Sequence, residues 1–161
     1  MEPTAAIESL FGDKLVKGDG SEVDFKSWHG SFQGKAKYIG LYYGAHWAPP
    51  SRLYTTNLKE KFYDVVKADD ATKDLIEIIF VSDDREAGHF ARNIAKMPWL
   101  SVPFDAELIK QSLKSKFNVA ELPTFAIINA STGRLVKLDA RQDVFQGKKA
   151  FETWDKIGTS S

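Results

Sequence analysis

Two stretches of this chain, YIGLYYGA (Tyr38–Ala45) and DLIEIIFVS (Asp74–Ser82), are almost continuously apolar and rich in β-favouring residues. Runs of this length and content predict strands buried on both faces. Between them Tyr54, Leu58, Phe62, Val65 and Val66 recur at helical spacing, separated by Lys and Glu. A buried strand, an amphipathic helix and a second buried strand make a parallel pair with a right-handed crossover. Such a pair buries its strands only inside a sheet covered by helices on both faces. The pattern limits the chain to an α/β architecture.

The flanking segments complete the sheet. KLVKGDGSEVDF predicts two short strands around the turn GDGS, an extra N-terminal β-hairpin. SWHGSFQGKA is polar and glycine-rich and predicts a short helix or loop. After the second buried strand, Phe90, Ile94 and Met97 mark a helix, SVPF an extended segment, and Ile109, Leu113 and Phe117 a further helix. PTFAIIN, STG and RLVKLDA predict a strand, a tight turn and a strand, a closing β-hairpin. The last helix, in QGKKAFETWDKIGTSS, is expected to fray into a polar tail from about residue 156. The expected organisation is a single domain over 1–161, a central mixed sheet flanked by helices on both faces.

Composition excludes several function classes. Lys plus Arg and Asp plus Glu number 22 each, so no global field favours nucleic acid or an acidic membrane. No apolar run approaches the roughly 20 residues of a membrane span. The first residues, MEPTAAIESLFGDKL, lack a basic-then-apolar leader, and a cytoplasmic location is expected. There is no cysteine, which removes thiol catalysis, thiolate metal sites and iron–sulfur clusters. His29, His46 and His89 are scattered without carboxylates at ligand spacing, so no metal and no cofactor are expected. The NAS sequon at Asn129 reads as a turn. Asp83 and Asp84 read as helix capping and solvated charge, and Lys148 and Lys149 as a solvated face.

In an α/β sheet, ligands gather where a strand's C-terminal end meets the next helix's N-terminus. YYGAHWAPPSR (Tyr42–Arg52) occupies that junction. Pro49 and Pro50 suit the first helical turn, where a missing N–H costs nothing. The exposed amides and dipole of such a terminus depress a thiol's pKa, yet no thiol is present. A nucleophilic Ser51 with His46 as base lacks a readable oxyanion hole, and a serine hydrogen-bonded to the helix-end backbone is favoured. Trp47 is expected to lie exposed against a partner, whereas Trp99 suits a platform or packing equally.

AHWAPPSR resembles the WCPPCR site of the tryparedoxin and nucleoredoxin branch of the thioredoxin superfamily. KMPWLSVPFD (Lys96–Asp105) and IIFVSDD (78–84) resemble segments typical of that branch. LPTFAIINASTGRLV resembles the strand that opens with the family's cis-proline, a role that falls on Pro123. The resemblance runs from about Val23 to Val144 and implies a thioredoxin-like fold. It implies that Ala48 and Ser51 stand at the positions of the nucleophilic and resolving cysteines. It further implies a partner groove formed by Trp47, Pro49, Pro50, Arg52, Leu122, Pro123, Thr124 and Arg141. The family's ARTR-like stretch appears as ARQD, which keeps Arg141 and sets Asp143 where a second Arg is common.

Family members take electrons from a low-molecular-weight dithiol or a reductase and pass them to protein disulfides such as those of peroxidases. That chemistry serves peroxide detoxification and redox homeostasis. Ala48 has no nucleophilic atom, and the Ser51 hydroxyl neither forms nor breaks a disulfide. Dithiol–disulfide exchange is therefore chemically impossible for this chain. Three readings follow. The first is a non-catalytic member that holds a protein or peptide partner near Trp47 and Pro123, paired along Leu122–Thr124 as an added strand. The second is an inactivated, cysteine-free form of a tryparedoxin-type oxidoreductase. The third is an adaptor using the C-terminal helix around Phe151 and Trp154.

Overall fold

Strand β3 (Tyr38–Gly44) is buried at every residue and pairs in parallel with β4 (Ile76–Ser82), from Tyr38 beside Ile76 to Gly44 beside Ser82. The side chains alternate as the pleat requires. Tyr38, Tyr42, Ile76, Ile78 and Phe80 enter one core layer, while Ile39, Leu41, Tyr43, Ile79 and Val81 enter the other. Antiparallel β6 (Thr124–Asn129) borders β3 on its other side, and β7 (Leu135–Lys137) closes that edge. Beyond β4, short β5 (Leu100–Ser101) runs parallel to it and carries the N-terminal hairpin of β1 (Lys14–Val16) and β2 (Glu22–Asp24). The result is one mixed seven-stranded sheet in the order β2-β1-β5-β4-β3-β6-β7. The structure, a computed structural model, describes residues 3–32 and 36–160.

Helices cover both faces. Over the Tyr42 face lie α3 (Pro49–Asn57), α4 (Asp64–Lys67), α5 (Ala87–Ile94) and α7 (Ala150–Ser160), with a 3₁₀ segment at Asp143–Lys149. They contribute Tyr54, Val66, Phe90, Phe151 and Trp154 to that layer. Over the opposite face lie α1 (Pro3–Phe11), α2 (Phe25–Phe32) and α6 (Glu107–Lys116), which contribute Ile7, Phe11, Phe25 and Leu113. The expected thioredoxin-like α/β sandwich is the observed one.

Several local expectations are corrected. Helix α1 was not anticipated before the hairpin, although Ile7, Leu10 and Phe11 have the spacing of one helical face. Val65 is exposed, not packed. Its neighbours explain why: Tyr54, Leu58, Phe62 and Val66 are buried at intervals of four, which overshoots the 3.6 residues of an α-turn. The chain answers with a π-helical stretch, Leu58–Tyr63, between α3 and α4, whose wider turn keeps that series facing inward. Met97 lies beyond the end of α5 but is still buried.

Phe151 and Trp154 are buried, and the Trp154 indole N–H donates to the Asp143 carboxylate at 2.9 Å. They hold α7 to the core, which removes the adaptor face. The same Asp143 carboxylate accepts Lys137 Nζ at 2.9 Å, so the aspartate in ARQD turns inward to a structural cluster. Trp99 is also packing, edge-on to Tyr42 and Tyr63. Asn129 makes the turn expected of NAS, its side-chain oxygen accepting the N–H groups of Ser131 and Thr132. Lys148 is paired with Asp69. Helix α7 continues to Ser160, past the expected tail near 156. Residues 33–35 of the polar stretch before β3 and the terminal Ser161 lie outside the described residues.

Candidate functional site

The head of α3 is built by the ends of the two central strands. β3 stops at Gly44, whose carbonyl accepts the Asp83 N–H at 2.9 Å just past the end of β4. The chain then turns through Ala45, His46 and Trp47. Asp84, only 5% exposed, holds this turn: its carboxylate accepts the His46 N–H at 2.6 Å, the Ser82 hydroxyl at 2.7 Å and the Asn93 amide at 3.4 Å. The capping role expected of Asp84 is thus corrected, because the residue at the start of α5 is Glu86. A buried carboxylate with three donors is a fixed anchor.

Ala48 takes the N-cap position of α3 in extended conformation, with prolines filling the first turn. Its carbonyl accepts the N–H of Ser51 at 2.9 Å and of Arg52 at 3.2 Å. Pro49 and Pro50 are exposed, whereas Ala48 and Ser51 are buried at 8% and 1% exposure. The Ser51 carbonyl accepts the Tyr42 hydroxyl at 2.7 Å and the Thr55 hydroxyl at 3.0 Å. Its own Oγ has no hydrogen-bond partner, contrary to the expected backbone bond. His46 Nδ1 is likewise buried and unpartnered, so the two atoms do not bond each other and no serine–histidine dyad forms. His46 instead lies 5.6 Å, ring to ring, from His89, so these two histidines are neighbours rather than scattered. Among the described residues no cluster of three or more His, Asp or Glu suits a metal ion.

Trp47 projects from the same turn at 47% exposure. Its indole N–H donates to the Asp83 carbonyl at 3.1 Å, and the Arg85 guanidinium lies 5.5 Å from its ring. The ring is therefore held at the surface by a hydrogen bond and a cation–π contact. Arg52 reaches back, its Nη1 donating to the His46 carbonyl at 2.6 Å.

The second strand of the site comes from far along the chain. Register between β3 and β6 sets Thr124 beside Tyr43, which brings Leu122 and Pro123 to the end of the sheet that carries Trp47 and Ala48. The Leu122–Pro123 bond is cis. Leu122 is half-buried, and Pro123 and Thr124 are buried. The Thr124 hydroxyl donates to the Glu121 carbonyl at 2.6 Å. Arg141 donates to the Pro123 carbonyl at 3.3 Å and pairs with Asp139 at 2.8 Å and Glu121 at 3.0 Å. Hydrogen bonding to Asp139, with Glu121 nearby, raises the Arg141 pKa further, and the Arg141 guanidinium in turn lowers that of Asp139. Arg141 is thus largely spent on holding the proline loop. Tyr54 links that loop to α3, its hydroxyl donating to the Arg141 carbonyl at 2.9 Å.

A cavity of about 500 Å³ borders this end of the sheet, lined by Asp83, Arg85, Phe104, Lys114 and Leu122 among others, but not by Trp47 or Ala48. Asp83, Asp84 and Arg85 were missed as site residues. Their signal was an acidic pair and an Arg directly after a buried strand, at the edge where ligands gather.

Comparison with known proteins gives the family of the fold that carries this helix head. A family model described as Thioredoxin-like matches residues 34–135. The chain belongs to the thioredoxin-like family, in its tryparedoxin and nucleoredoxin branch. It is 36% identical over 116 residues to probable nucleoredoxin 3 of Arabidopsis thaliana, covering 71% of this chain and 28% of that protein. It is 36% identical over 120 residues to tryparedoxin of Trypanosoma brucei brucei, covering 73% of this chain and 76% of that one. Tryparedoxin II in complex with glutathionylspermidine superposes with a TM-score of 0.72 at 29% identity, covering 88% of this chain and 92% of that one. The chain spans under a third of the length of the nucleoredoxin it matches. No helix among the described residues is long and apolar enough to cross a membrane.

Proposed function

We propose that this tryparedoxin- and nucleoredoxin-type protein binds an extended protein segment at the head of α3 and does not transfer electrons. The observation that carries the reading is Trp47, exposed yet pinned by Asp83 and Arg85, beside a site in which Ala48 and Ser51 lack sulfur. A partner segment lies across Trp47 and Pro50 and pairs with backbone near Leu122–Thr124, with Pro49, Arg52 and Arg141 framing the groove. Without a covalent step only reversible contact remains, so affinity is modest unless the interface is large. The test is selection of peptides from a displayed library on the immobilised chain, followed by titration of a selected peptide against the Trp47→Ala variant. Binding falls by at least about tenfold if Trp47 is an anchor; unchanged affinity moves the contact elsewhere. Cytoplasmic residence belongs to the same reading, and fractionation of cells expressing the tagged chain checks it.

A second reading is favoured by the preserved helix head, with Ala48 at the N-cap and two prolines behind it. In that reading the chain is the cysteine-free form of a tryparedoxin-type oxidoreductase whose partners are peroxidases and a low-molecular-weight dithiol. Restoring Ala48→Cys together with Ser51→Cys then yields disulfide reduction in a dithiol-coupled assay. A folded double variant that stays inert eliminates this second reading.

A further inference from the structure

A cleft of about 290 Å³ separates the flank of α3 and its π-helical extension from the end of α5. Its wall carries three cations, Arg52, Lys59 and Lys96, against one acid, Glu60. This excess is local, because the chain as a whole is neutral by formal count. Lys59 is shared with Asp64 at 2.8 Å. Arg52 spends one N–H on the neutral His46 carbonyl, which leaves its charge uncompensated. Among the described residues no ion pair involves Arg52 or Lys96, whereas Lys59 is paired with Asp64.

The neutral lining also offers donors. Asn93, 4% exposed, gives its amide N–H to Asp84 only at a long 3.4 Å, and the Thr56 hydroxyl reaches the Arg52 carbonyl only at 3.5 Å. Thr55, the other buried residue of the cleft, is already bonded to Ser51 and Tyr42. The π-helical stretch, a distortion that recurs at functional sites, carries Lys59 and Glu60. A planar guanidinium, an unpaired ammonium and two weakly used neutral donors match a tetrahedral dianion better than a monoanion or an apolar group.

We propose that this cleft binds the phosphoryl group of a small molecule, with Arg52 and Lys96 as its charged partners and Thr56 and Asn93 as neutral donors. The cleft adjoins the groove at Trp47, and its test, read at Thr56, Asn93 and Lys96, does not require a partner to bind that groove. Arg52 connects the two, since the guanidinium that meets the phosphoryl group also holds the His46 carbonyl.

The experiment is a titration of the full chain with inorganic phosphate, followed through backbone amide resonances. Saturable shifts are expected at Thr56, Asn93 and Lys96, with a smaller one at His46. Lys96→Gln weakens binding by about tenfold, the effect of one charge at contact distance from a dianion in a water-exposed cleft. Glu60→Gln tightens it by about threefold by removing the opposing charge, and Lys149→Gln leaves it unchanged. Phenyl phosphate, titrated in parallel, separates the sources: tighter binding than phosphate assigns the cleft to a phosphomonoester, weaker binding to the free oxyanion. The proposal is overturned if the shifts spread over all exposed lysines, if sodium chloride at matched ionic strength reproduces them, or if Lys96→Gln binds as well as the parent.

Discussion

At the scale of single residues, Asp84 and Ser51 are opposite cases of a buried polar group. Asp84 satisfies three donors, including the amide that fixes the Trp47 turn. Asp84→Ala leaves those donors unpaired and is expected to cost about 2–4 kcal/mol in urea unfolding. Ser51 Oγ has no partner, so Ser51→Ala removes an unsatisfied hydroxyl and is expected to leave stability unchanged or raise it by up to about 1 kcal/mol. A loss of more than that from Ser51→Ala would mean the hydroxyl has a partner in solution. Trp47→Ala is expected to cost about 2 kcal/mol, because the buried half of a large side chain and its contacts with Asp83 and Arg85 are lost. Circular dichroism of the variant separates its effect on binding from its effect on folding. Asp84 shows why part of the site escaped sequence reading: an acidic pair after a strand signals a cap as well as an anchor. Only the position of the β3 end beside it distinguishes the two.

At the scale of elements, β3 was legible because burial on both faces writes an unbroken apolar run. One feature within it was not. A Cβ at Gly40 would stand 2.6 Å from the Phe125 ring of the neighbouring strand. The glycine leaves room for a large aromatic on β6, a relation invisible without the β3–β6 register. Gly40→Ala is expected to cost about 1–3 kcal/mol by overpacking, measured as a lower urea midpoint with an unchanged slope. An unchanged midpoint would show that the ring moves aside freely. The long helix after Pro50 was likewise legible as a helix but not as one with a π-helical stretch. Residues buried every fourth position are compatible with either geometry until packing decides which face must stay inward.

At the scale of the whole molecule, all five tyrosines are buried or half-buried in the layers flanking the sheet. Burial raises the pKa of Tyr38, Tyr42, Tyr43, Tyr54 and Tyr63, in the case of Tyr63 to about 12. A raised folded-state pKa means that the folded chain holds these protons more tightly than the unfolded chain. Their contribution to stability is complete below the unfolded tyrosine value of about 10 and is lost as pH rises beyond it. Alkaline titration followed by tyrosinate absorbance should thus show little ionisation up to about pH 10. A single steep step should follow, coincident with loss of far-ultraviolet circular dichroism. Five independent, gradual ionisations in a folded chain would contradict this packing.

The amino-acid sequence by itself determined the α/β class, the burial of the central strands and the absence of thiol chemistry. Each depends only on periodicity or on which atoms the side chains carry. Tertiary structure decided what stands next to what. Trp47 and Pro123 lie at the same end of the sheet because β3 and β6 pair with Tyr43 beside Thr124. Asp84 anchors the turn because β4 ends where β3 does. Phe151 and Trp154 belong to the core because α7 packs back on the Tyr42 face. Contacts between residues tens of positions apart follow from strand order and register, and a local pattern carries no information about either.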